Sequence, residues 1–139
     1  MMAARTKARR YAFEILFEAD QRNASPAEVL LRRGKPQGEE LAEYPHAVRI
    51  IQGVDEHSER IDELLATYAV GWTLDRMPAV DVVVLRIGAF ELLWADDVPD
   101  GVALSEAVAL ATDFSTEESP KFVNGLLSRL QELKSSLIL

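Results

Sequence analysis

Cysteine is absent from the 139 residues, which removes disulfides, thiolate metal sites and a cysteine nucleophile while leaving the redox compartment open. Histidine occurs only as His46 and His57. Neither forms an i, i+4 pair with a partner suited to metal, so no metal site is expected. The seven glycines are scattered and build no glycine-rich phosphate loop. No apolar run approaches the roughly 18–20 residues that span a bilayer, and the first residues lack the apolar core of a secretory signal. A soluble, cytoplasmic protein without a membrane role is the expectation. Nothing like a nucleophile elbow supports hydrolase chemistry, although a triad assembled in space leaves no trace in spacing. The acidic pairs Asp55-Glu56, Asp96-Asp97 and Glu117-Glu118 read as solvated faces and helix caps. Neither an enzyme nor a cofactor is expected.

What is present is acidity with one exception. Formal net charge is −8, from 15 basic and 23 acidic residues. Four of the bases fall in Arg5-Thr6-Lys7-Ala8-Arg9-Arg10. Subtracting those four from 15 leaves 11 against 23, so the rest of the chain sums to −12. General acidity repels phosphate and argues against indiscriminate nucleic-acid binding. A local contact at the basic island is the reading that charge asymmetry supports, beside the alternative of a solvated, frayed chain end. If a helix starts near Ala4, the cations sit at its positive end, each disfavoured by roughly 0.3–1 kcal/mol. An anion that normally neutralises them makes sense of that placement.

With 48% apolar residues, the chain is long enough to bury a core as one domain over residues 1–139, with residues 1–10 a basic N-terminal segment. Helical spacing of Ala8, Ala12, Ile15, Leu16 and Ala19 predicts a first helix from Ala4 to about Arg22. Arg9, Phe13 and Phe17 share another of its faces, and both stacking on unpaired bases and burial in a core are open to them. Ser25-Pro26 predicts a second helix to about Arg33, followed by a flexible connection over residues 34–38. The stretch from Tyr44 to about Tyr68 reads as one long helix or two abutting ones, with Gly53 a possible weak point. Residues 79–95 are apolar nearly all round, which predicts a central buried helix; Val82-Val83-Val84 alone would suit a strand. A turn over Asp96 to Gly101 precedes a helix from Val102 to about Thr112. Ser115 with Glu118 fits a capping box, and Ser119-Pro120 repeats the cap-then-proline start of a last helix. Gly125 inside that helix costs about 1 kcal/mol against alanine and predicts close packing by another backbone. The sum is an all-α chain of about seven helices without repeats or a domain boundary.

Five blocks in order then resemble the NusB family of transcription antitermination factors. They are the basic start Arg5 to Arg10; Leu74-Asp75-Arg76; Leu85-Arg86-Ile87 with Glu91-Leu92; Asp97-Val98-Pro99, with Glu106-Ala107 and Leu110-Ala111; and Lys121-Phe122-Val123-Asn124-Gly125, the most specific. The resemblance covers nearly the whole chain. It implies two packed helical bundles and a non-catalytic role: binding single-stranded boxA-type RNA of ribosomal transcripts with the ribosomal protein NusE, within an RNA polymerase antitermination complex. It assigns RNA contact to Arg5, Lys7, Arg9 and Arg10 and to a second patch of Glu118, Lys121 and Phe122. Phe17 joins the RNA-binding candidates where some relatives carry tyrosine. Asp75, Arg76 and Asp81 fall on the region that meets the ribosomal protein. RNA sequence is read largely on unpaired bases stacked on aromatic or guanidinium planes, which suits Arg9, Arg10 and Phe122.

Four positions depart from the family's pattern. Thr6 interrupts the basic run, Phe17 lacks the tyrosine hydroxyl, Val82 replaces a basic residue common after the acid at 81, and Ser105 replaces a frequent asparagine, with a helix-start role still open to it. A different reading is a self-associating interaction module whose RNA face is closed in a homodimer through exposed Phe13 or Phe17. A domain fused to an RNA methyltransferase is discounted, because no room remains for a cofactor-binding fold.

Overall fold

The computed structural model describes residues 3–35 and 42–139. Among them are seven α-helices and two short 3-10 turns, and no strand, as the periodicity predicts. The chain divides into two compact units, Met1–Glu56 and His57–Leu139. Most of the expected connection over residues 34–38 lies outside the described residues.

The first unit holds α1 (Ala4–Arg22), α2 (Pro26–Arg33) and α3 (Tyr44–Glu56), and α1 packs on both of the others. In α1 the predicted stripe Ala8, Ala12, Ile15, Leu16 and Ala19 is buried. The helix ends where Asn23 turns left-handed, φ 52°, a conformation its short polar side chain tolerates. In α2 the Ser25 hydroxyl accepts from the Glu28 N–H at 3.1 Å, the expected cap. Arg32 and Arg33 in its last turn reach back to Glu18 of α1. Burial alone would raise the Glu18 carboxyl, but hydrogen bonds from Arg33 and Arg32 and the charges of Arg32 and Arg22 outweigh it. They hold its pKa below the usual 4.5.

The second unit holds α4 (Ser58–Tyr68), a 3-10 turn (Leu74–Arg76), α5 (Ala79–Trp94), α6 (Asp100–Phe114), α7 (Ser119–Leu133) and a closing 3-10 turn (Lys134–Ser136). The stretch from Tyr44 to Tyr68 is thus two helices. Its break falls at His57, whose ring stacks on Trp94 at 4.4 Å, and not at Gly53, which is buried within α3. As predicted, α5 is central, packing on α4, α6 and α7. Val82, Val83 and Val84 are all buried there. Burying a valine contributes roughly 1.5–3 kcal/mol, more than the few tenths by which helix propensity disfavours it. Of the charges of α5, Arg86 forks onto both Asp62 oxygens at 2.9 Å, while Asp81 and Glu91 are buried.

Three local expectations are corrected. Helix α6 starts at Asp100, two residues early, because Pro99 takes the cap position and its carbonyl accepts from Val102 and Ala103 at 3.0 Å. Ser105 therefore stands in the second turn, its hydroxyl directed to the Val102 carbonyl, and starts no helix. The close helix approach expected at Gly125 is found instead at Gly88. A Cβ there would lie 2.5 Å from Leu127 of α7 and 3.1 Å from Ala107 of α6, whereas one at Gly125 meets no described atom within 4 Å.

Candidate nucleic-acid interface

The four basic candidates of α1 differ in environment. Arg9 is only 2% exposed. Arg5 lies 3.7 Å from Glu43, and Lys7 and Arg10 are half-buried. No acidic residue occupies the first turn of α1 itself and Ala3 offers no side-chain cap, so within the helix its positive end carries cations only, with Glu43 of the neighbouring segment beside Arg5. Phe13 is buried and stacks on half-buried Phe17, centroids 5.7 Å apart. The exposed Phe13 that would serve self-association is therefore absent, because its ring is used in the core.

In the second unit Glu118, Lys121 and Phe122 come together on the first turn of α7. Glu118 occupies the cap position but makes no capping hydrogen bond. Neither expected start of α7 holds: Ser115 forms no capping box, and Ser119 is already helical. Both hydroxyls are instead drawn to Asp81, with Ser119 Oγ at 3.0 Å from its Oδ2 and 2.9 Å from Ser115 Oγ. Thr116 adds its hydroxyl at 2.8 Å from Ser119. The buried Asp81 carboxylate, 3% exposed, thereby ties the α6–α7 turn to the first turn of α5. Asp75 and Arg76 sit together on the 3-10 turn and are exposed; Asp81 shares no surface with them.

The turn borders a groove of about 920 Å³ whose walls include Val70, Trp72, Met77, Phe122 and Arg129. Trp72 meets Phe122 edge to face, 6.4 Å between centroids at 66°. Trp72 is half exposed and Val70 91% exposed. Trp72 and Arg129, which line the same groove, belong to none of the five blocks that resemble the family. A bulky aromatic directly after a glycine, in Gly71-Trp72, is the only local signal that points to Trp72.

The profile of the NusB family matches residues 6–132. A transcription antitermination protein NusB of Kineococcus radiotolerans is 58% identical over 140 residues, covering 98% of each chain. The structure of T. maritima NusB superposes with a TM-score of 0.81 at 32% identity, covering 99% of this chain and 100% of that one. A crystal structure of the antitermination factors NusB and NusE in complex with dsRNA contains a chain that matches with a TM-score of 0.79 at 28% identity, over 95% and 98% of the two chains.

Proposed function

The chain belongs to the NusB family, and from that premise we propose that it is a non-catalytic RNA-binding antitermination factor. It takes single-stranded boxA-type RNA of ribosomal transcripts together with NusE and delivers both to transcribing RNA polymerase. The observation that carries this reading is the first turn of α7, where Glu118, Lys121 and Phe122 present an acceptor, a cation and an aromatic ring beside an open groove. Those are the groups that read an unpaired base: stacking on the ring, hydrogen bonding from the base edge, and phosphate at the ammonium. The related NusB and NusE complex holds double-stranded RNA; the preference for a single strand rests on the half-exposed rings, which a paired duplex leaves without a base to stack on.

On α1, half-buried Lys7 and Arg10 supply phosphate contacts at a helix start whose own first turn holds no acid. Arg9, being buried, acts by holding that end of the helix in place. Asp75 and Arg76 are the exposed contacts for NusE, while buried Asp81 acts by fixing the α6–α7 turn. Anisotropy of a labelled boxA-type RNA, titrated with the protein alone and with purified NusE, tests the reading. Saturable binding that NusE tightens is expected. A protein that binds no RNA in either titration overturns it.

A further inference from the structure

A glycine inside a helix is disfavoured by about 1 kcal/mol against alanine, and packing normally explains it. At Gly88 packing does so, since Leu127 and Ala107 leave no space for a Cβ. At Gly125, in the middle of α7, nothing described lies within 4 Å of where the Cβ would be, and the backbone there needs no positive φ. The chain's own packing gives no reason for this glycine. Its location does. Positions 121, 125 and 129 succeed one another at i, i+4 and i+8 on one face of α7, and all three line the groove of about 920 Å³. Gly125 is its open floor, between the cations Lys121 and Arg129. Trp72 lines the same groove, half exposed, with its edge contact to Phe122 leaving indole surface uncovered.

We propose that this groove receives one unpaired nucleobase of an RNA strand, stacked on Trp72 over the bare backbone at Gly125, with Arg129 as the partner of the adjoining phosphate. The assignment rests on the RNA-binding reading above and adds to it three residues, Trp72, Gly125 and Arg129. Charge decides the occupant. Glu117 and Glu118 on the same rim repel a strand laid along it, so backbone density must concentrate at the two α7 cations while the uncharged base enters between them. Arg129 is available for this, since its side chain is 56% exposed and touches Glu132 only at 3.6 Å.

The test uses the full chain and a short single-stranded RNA, followed by anisotropy of the RNA and by tryptophan emission. Stacking is worth about 1–3 kcal/mol per base, so Trp72→Ala is expected to weaken binding about 5- to 150-fold. Trp72→Phe, which keeps a stacking face, is expected to restore most of it. Gly125→Leu fills the floor and is expected to weaken RNA to a similar degree while leaving the melting temperature unchanged or raised, because leucine favours helix and meets no described neighbour. Arg129→Ala is expected to flatten the salt dependence by about 0.7 in log–log slope. RNA is expected to quench emission of the wild type and not of Trp72→Phe. A mononucleotide at equal base concentration is expected to quench little, since it lacks the second phosphate. RNA binding that Trp72→Ala and Gly125→Leu leave at the wild-type level overturns the groove assignment alone. Equal quenching by the mononucleotide overturns its assignment to a strand, and wild-type protein that binds no RNA overturns the functional reading with it.

Discussion

Asp81 shows how a single residue's role depends on where its carboxylate points. By position it belongs with Asp75 and Arg76 as a contact for a protein partner. Its burial, and the hydroxyls of Ser115 and Ser119 upon it, make it a clamp. A buried acceptor that satisfies two donors is costly to remove, because the polar groups left behind lose their partner. Asp81→Ala is therefore expected to lower unfolding free energy by about 1–3 kcal/mol in urea denaturation and to weaken RNA indirectly, by loosening the turn that carries Glu118 and Lys121. Unchanged stability with loss of NusE binding alone would return Asp81 to the surface role.

At the level of elements, α1 and α2 are joined by charge and α5 to α7 by shape. Glu18 accepts from Arg32 and Arg33 and lies 3.6 Å from Arg22, and its folded-state pKa is depressed below 4.5. A depressed carboxylate stabilises the fold above its unfolded pKa and loses that contribution as pH falls through the folded value. Glu18→Gln is thus expected to flatten the acid limb of a stability against pH curve, measured by denaturant midpoint, since the amide does not titrate. A limb of unchanged steepness would show that other carboxylates set it. At the crossing of α5 with α6 and α7, Gly88→Val inserts three carbons where the first already meets Leu127 and Ala107. Overpacking of that kind costs about 1–3 kcal/mol, visible as a lowered denaturant midpoint. A midpoint that stays put would mean that Leu127 can withdraw.

For the whole molecule, charge distribution governs function more than total charge does. In a protein of net charge −8, phosphates can be held only at localised cations, so affinity is expected to be strongly salt-dependent. With Lys7, Arg10, Lys121 and Arg129 as phosphate partners, log affinity against log salt is expected to slope by roughly −2 to −3, at about −0.7 per contact. Arg10→Ala is expected to reduce the slope by one such step. A flat dependence would mean that stacking alone carries binding and that the basic start of α1 has another purpose.

Period, caps and burial pattern were enough to predict about seven helices, with Tyr44 to Tyr68 left as one or two, the start of α2 at Ser25-Pro26, the inward stripe of α1 and the central place of α5, because each is dictated by residues within a turn or two of one another. Five ordered blocks likewise sufficed to indicate the family. Tertiary structure alone decided the matters that depend on distant partners. Ser119 leaves its capping role because Asp81, 38 positions earlier, draws its hydroxyl, and Arg9 joins the buried set although the other cations of the basic start, Arg5, Lys7 and Arg10, stay half-exposed. The two glycines exchange roles for the same reason: a missing Cβ has meaning only relative to what stands opposite it. Opposite Gly88 that is another helix, and opposite Gly125 it is the open groove beside Trp72.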